Sequence, residues 1–201
     1  VHVITGAVTS AQNIIKSVNR AGLDVVDIIL QPLASSEAVL SAEERELGVA
    51  MVDLGGGTTD LAIFLDGSIR HTAVLPIGGQ NLTKDLAIGL LTSQTDAEKI
   101  KVQHGIARTE LVHGHQMVEV PSVGDRPPRQ FTRRDIAEIL EPRVEEMFDL
   151  VKREIVRAGY EGMLGAGVVI TGGTSLLEGM PDAAERGLNL PARRGMPTGI
   201  G

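Results

Sequence analysis

The 201-residue chain has no cysteine and no tryptophan, and only four aromatic residues: Phe64, Phe131, Phe148 and Tyr160. Without cysteine, a disulfide scaffold, a cysteine-ligated zinc site and thiol catalysis are excluded. With so few aromatic rings, the core has to be built from Val, Ile, Leu and Ala. Positive charge is also in deficit. A net charge of −7 argues against general nucleic-acid binding, which needs a basic footprint. Long hydrophobic runs are missing too: Val25 to Leu30, broken by Asp27, and Gly165 to Ile170 are far too short to span a bilayer. The chain opens on Val-His-Val-Ile with no basic leader and ends on Gly-Met-Pro-Thr-Gly-Ile-Gly with no closing element. It is therefore expected to be a piece of a longer polypeptide, without a signal peptide.

What is present reads as globular: 42% hydrophobic and 22% charged residues. The length suits one ordinary domain or two small ones, burying roughly 70% of the unfolded surface. Thr9 or Ser10 caps a helix with Ala11, Ile14, Ile15, Val18 and Ala21 at helical spacing, stopped by Gly22. Val25 to Leu30 reads as a strand, and Pro32 opens a second helix. A meander follows: Val49 to Leu54, Thr59 to Leu65, an Asp66-Gly67 turn, and Ser68 to Leu75. Pro76 and Gly78-Gly79 then break the pattern. Helices follow over Asn81 to Leu91 and Asp96 to His104, the second with Thr95 as cap and Glu98 closing a capping box. Leu111 to Val120 is strand-like, and Gly124 to Arg129 is a loop. Thr132 and Asp135 cap a helix that Pro142 interrupts or restarts, and the amphipathic run from Pro142 ends at Gly159. A buried strand (Gly167 to Thr171), a Gly172-Gly173 turn and a short helix (Pro181 to Leu188) complete the order. The predicted class is α/β with a mixed sheet, interrupted by a helix-rich insertion.

Two glycine-rich turns carry the chemistry. In Asp53-Leu54-Gly55-Gly56-Gly57-Thr58-Thr59-Asp60, apolar strands flank three consecutive glycines. The amides of Gly55, Gly56 and Gly57 can turn inward as a nest for phosphate, and the Thr58 and Thr59 hydroxyls can add hydrogen bonds. Asp53, at the end of its strand, is placed to hold Mg2+ through water. No Gly-Lys-Ser/Thr follows, so this is not a P-loop. Asp60 stands where a dinucleotide fingerprint needs its third glycine, and a strand follows where that fingerprint needs a helix. The bland alternative is a glycine-rich hairpin turn. The second segment, Gly167-Val168-Val169-Ile170-Thr171-Gly172-Gly173-Thr174-Ser175, ends an apolar strand in small residues that let backbone approach a flat nucleoside. A tight turn alone reads equally well.

In this order and spacing, the two motifs resemble those of the actin-like ATPase superfamily. Within it, the chain resembles the FtsA family of bacterial cell-division proteins. That likeness rests on Leu30-Gln31-Pro32-Leu33-Ala34-Ser35-Ser36-Glu37-Ala38, Gly78-Gly79-Gln80-Asn81-Leu82-Thr83, Ala97-Glu98-Lys99-Ile100-Lys101, Arg126-Pro127-Pro128-Arg129 and Glu141-Pro142-Arg143, and it covers the whole chain. The resemblance implies an actin-like (ribonuclease H-like) half. Residues 1–80 and 158–201 would form subdomain 2A, and residues 81–157 an inserted subdomain 2B. It implies ATP with Mg2+ as cofactors, Gln31 as the water-positioning residue of at most a weak ATPase, Glu98 and Lys101 beside the nucleoside, and Gly172, Gly173 and Thr174 under adenine. A solvated helix face is the plain reading of Glu98 and Lys101. The superfamily uses two phosphate loops, and only the second is found here, so nucleotide binding by this piece is expected to be weak.

Charge sign reverses over one stretch, where Arg126, Arg129, Arg133 and Arg134 fall within nine residues and Arg143 follows. Such arginines either pair with Glu138, Glu141 or Glu145 on the same helix or receive an acidic peptide. The resemblance implies the second. The C-terminal tail of FtsZ, an acidic and apolar peptide, would dock at Arg126, Arg129 and Arg143. It also implies filaments in the full-length protein, contacts with other division proteins, and a place at the inner membrane face through a C-terminal helix absent here. The competing members of the superfamily are MreB-like filament proteins, chaperone-type ATPases and small-molecule kinases. His113 and His115 have no third ligand nearby and are expected to be a solvent-facing strand end, not a metal site.

Overall fold

The computed structural model describes residues 7–124 and 126–197. The meander forms as its patterning predicts: β1 (Val49–Leu54), β2 (Thr59–Leu65) and β3 (Ser68–Leu75) pair antiparallel, with Asp66 and Gly67 both at positive φ in the turn. The apolar strand β6 (Val168–Thr171) lies parallel to β1, and β7 (Ala192–Arg194) lies parallel to β6, giving the order β3-β2-β1-β6-β7. The sheet is mixed and helices flank it, so the chain is an α/β protein.

Strand alternation divides the core into two layers. Ala50, Val52, Leu54, Leu61, Ile63, Val168 and Ile170 face the larger apolar cluster. That cluster continues through α4 (Gly79–Gly89), α5 (Gln94–His104), α6 (Arg133–Arg157) and α7 (Met180–Leu188). On the other face, Val49, Met51, Ala62, Phe64 and Val169 pack under α2 (Gln31–Val39), which contributes Leu33, Ala38 and Val39. Asp53 and Asp60 continue the rows of this second face. A separate hairpin, β4 (Met117–Val120) with β5 (Arg129–Thr132), lies in the stretch between β3 and β6.

Several local expectations are corrected. Residues 25–30 form no strand: Val26 is 99% exposed, and Ile28 and Ile29 are more than half exposed. Their apolar run, broken by Asp27, finds no neighbouring strand among the described residues, and an unpaired strand has no ladder to hold it. Helix α1 (Val8–Arg20) buries no residue, and it includes Thr9 and Ser10 instead of being capped by them. Helix α5 is capped by Ser93, whose hydroxyl accepts from the Asp96 amide, because Glu98 is drawn away to Thr83 and Lys101. Pro142 lies inside one continuous α6, with the buried stripe Ile136, Leu140, Val144, Met147 and Val151 running on both sides of it. Only residues 117–120 of the strand expected over 111–120 are extended in a ladder. His113 and His115 sit before it in exposed, irregular chain. Short α3 (Ala42–Leu47), β5 and β7 were not anticipated.

Candidate nucleotide cleft and basic groove

The loop after β1 is stitched to two other turns by backbone. The amides of Gly79 and Gln80, at the start of α4, donate to the carbonyls of Gly55 (2.9 Å) and Gly56 (2.8 Å), and the Thr174 hydroxyl donates to Gly55 O at 2.9 Å. This closeness requires glycine. A Cβ on Gly78 would lie 2.6 Å from Gly56 O, and one on Gly79 would lie 2.4 Å from the Thr174 hydroxyl. Three segments far apart in sequence therefore converge. Beside them opens a cleft of about 880 Å³, lined by Gly56, by Gly79, Gln80 and Thr83 of α4, by Gln94, Thr95, Glu98, Lys99 and Lys101 of α5, and by Gly173 and Thr174.

Lys101 organises the α4–α5 wall. Its Nζ donates to Gly79 O (3.0 Å), Thr83 Oγ1 (2.9 Å) and Glu98 Oε2 (2.8 Å), and Thr83 also bonds Glu98. Burial opposes ionisation of Glu98, but the hydrogen bonds from Lys101 and Thr83 outweigh it and hold the carboxyl below its usual range. Lys84 and Val102 extend the rim. Of the residues expected from sequence, Gly56, Glu98, Lys101, Gly173 and Thr174 meet at one cleft, and Gly57 and Thr58 stand exposed at the tip of its loop. Thr59 does not face it. Its hydroxyl is fully buried and donates to Ile77 O at 2.8 Å, because Thr59 already belongs to β2.

Asp53 is 7% exposed, and its Oδ2 accepts from Gln31 Nε2 (3.2 Å) and Ser35 Oγ (3.0 Å). Its cross-strand partner is Asp60, 8% exposed and approached by the Thr58 hydroxyl at 3.4 Å. Neither aspartate has an ion-pair partner among the described residues. Burial, together with the neighbouring Asp53 charge, pushes the Asp60 carboxyl up. Two paired, nearly buried carboxylates without a protein cation are a donor set that suits a hard divalent ion. Gly172, at φ +83°, allows the last turn to pass the same carboxylate: a Cβ there would sit 2.4 Å from Asp53 Oδ1. Ser35 and Thr83 were not singled out from sequence. The spacing Gln31/Ser35, one helical turn apart, was the available signal for the former.

The basic residues separate. Arg126 and Arg129 line an apolar groove of about 580 Å³ with Ala87, Leu91, Val123 and Pro127. Arg129 donates to Leu90 O, and its guanidinium lies 5.3 Å from the centre of the Phe131 ring. Arg126 is exposed with no ion-pair partner among the described residues. Arg143 is elsewhere. It pairs with Asp85 through Nε–Oδ2 (2.7 Å) and Nη2–Oδ1 (3.1 Å), and also with Glu146.

The sheet order and the glycine-lined cleft define an actin-like protein. The chain superposes on MreB5 of Spiroplasma citri bound to ADP with a TM-score of 0.74, at 19% identity, covering 96% of this chain and 62% of that one. A MamK double helical filament gives the same score at 15% identity, covering 95% and 61%. Within that class the sequence is more specific. The model of cell division protein FtsA matches residues 50–201. The FtsA of Pseudomonas aeruginosa is 51% identical over 200 residues, covering 100% of this chain and 48% of that protein. The chain belongs to the FtsA family of cell-division proteins. It spans about half the length of the curated relatives it matches.

Proposed function

We propose that this chain is the nucleotide-facing half of an FtsA that binds ATP with Mg2+. The observation that carries the reading is the convergence of Gly56, Gly79, Gly173, Thr174, Glu98 and Lys101 on one cleft, with Asp53 nearly buried behind its glycine loop. In this reading residues 1–80 and 158–201 are subdomain 2A and residues 81–157 are subdomain 2B. The Gly55–Thr58 loop receives phosphate, Gly172 to Thr174 lie under the base, and Glu98 with Lys101 flanks the nucleoside. Asp53, with Asp60 beside it, would hold the Mg2+, which when bound neutralises phosphate charge. Support comes from the ADP complex of the MreB5 relative. The MamK filament likewise supports self-association of the full-length protein. The groove lined by Arg126 and Arg129 is the proposed dock for the acidic, apolar tail of FtsZ, its apolar residues against Ala87, Leu91 and Val123. Such a protein works at the division site on the inner face of the membrane.

The test of the cleft is calorimetric titration of Mg·ATP into the full-length protein carrying this sequence. Asp53→Ala is expected to abolish measurable binding while leaving the melting temperature at or above wild type, since it relieves the carboxylate pair. Unchanged affinity would remove Asp53 from the site.

A further inference from the structure

Asp53 is held in a way that the nucleotide reading does not require. Helix α2 presents Gln31 and Ser35 one turn apart, on the face that covers β1, and both donate to the same oxygen, Oδ2. The other oxygen, Oδ1, is boxed against Gly172, where a single added carbon would lie 2.4 Å away. The carboxylate is thus held by two donors at one oxygen, with the Gly172 turn close by at the other. The two donors differ in kind. Gln31 is exposed and long, with considerable side-chain entropy to lose on being held, whereas Ser35 is short and half-buried. We propose that Ser35 is a positioning residue that fixes the Asp53 carboxylate for the divalent cation, with Gln31 the exchangeable partner that leaves Oδ2 when the cleft fills. This rests on the nucleotide reading above and assigns a division of labour within it. A short hydroxyl on a packed helix keeps its hydrogen bond in both states.

The experiment measures ATP affinity of the full-length protein by calorimetry, in Mg2+ and in EDTA, with melting curves for each variant. Ser35→Ala is expected to weaken Mg·ATP binding about tenfold, the low end of what loss of a partner to a metal-ligating group costs. Its affinity in EDTA should stay at the wild-type value, and Ser35→Thr, which keeps the hydroxyl, should restore the Mg2+ dependence. Gln31→Ala should change the Mg2+ dependence less than Ser35→Ala does. An equal loss in Mg2+ and EDTA would mean that Ser35 only supports the fold, and would overturn the proposal, as would a Ser35→Ala variant indistinguishable from wild type. Asp53→Ala separates the two levels. If it leaves the Mg2+ dependence intact, Asp53 is not the residue that holds the cation in the nucleotide reading, and the clamp falls with that assignment. If it abolishes that dependence while Ser35→Ala has no effect, the clamp alone is wrong.

Discussion

The guanidinium of Arg143 meets Asp85 in a two-pronged contact, and both side chains are only about a quarter exposed, 29% and 25%. The Asp85 hydrogen bonds hold Arg143 charged, well above the usual arginine range, in spite of partial burial. Arg126, in the apolar groove, is exposed with no ion-pair partner among the described residues. Charge reversal therefore has different consequences at the two sites. Arg143→Glu should destabilise the fold by about 1–2 kcal/mol, after allowance for solvent screening, because it sets carboxylates against Asp85 and Glu146. Arg126→Glu should leave the melting temperature unchanged and weaken a labelled FtsZ tail peptide about tenfold or more in anisotropy titrations, with wild-type binding falling as salt rises. Equal peptide affinity for wild type and Arg126→Glu would return this groove to an ordinary solvated surface. The residue types of the site were legible because glycine, aspartate and arginine announce themselves by motif. Their partners were not. The Asp85 contact joins residues 58 apart, and Thr59 is turned inward by the register of β2, which no motif encodes.

At the scale of elements, the strands were readable to the residue where apolar runs stop at glycine or at an Asp-Gly turn, as in β1, β2 and β3. Short elements were lost because their signal is only a cap. Helix α3 is six residues long, and it is defined by Ser41 accepting from the Glu44 amide while Glu44 Oε2 accepts from the Ser41 amide at 2.8 Å. Glu44 also receives two hydrogen bonds from Arg193 of β7, at 2.6 Å each, which lower its pKa. One cap thus anchors an edge strand 149 residues away. Ser41→Ala should cost about 1 kcal/mol in urea unfolding, and Ser41→Asp, another good cap, should cost less. If the alanine variant is neutral, the Arg193 contact and not the cap holds α3 in place. The opposite error, a break expected at Pro142, has the same origin: local propensity was outweighed by a buried stripe that runs the length of α6.

At the scale of the whole molecule, one apolar cluster joins the sheet to the helices α4 to α7, and a polar contact reinforces that junction. Glu154, near the end of α6 and 9% exposed, accepts from His71 of β3 (2.8 Å) and from Arg157 Nε and Nη2 (2.9 and 2.7 Å). The Arg157 hydrogen bonds, helped by His71 and opposed by burial, hold the Glu154 carboxyl below its usual range. The sign of the pH effect follows. A carboxyl with a lower pKa in the folded state than in the unfolded chain contributes stability above the ordinary glutamate range, and that contribution is lost as pH falls through the folded value. Glu154→Gln removes the charge at every pH. The variant should therefore melt below wild type at neutral pH, by a gap that stays open down to the ordinary glutamate range and then closes as wild-type Glu154 takes up its proton. Melting curves from pH 7 to pH 3 measure this directly. As a control, Glu145→Gln, on an exposed face of the same helix with no ion-pair partner among the described residues, should show no gap at neutral pH. A gap for Glu154→Gln that persisted undiminished into acid would mean that packing of the side chain, and not its charge, joins α6 to the edge of the sheet.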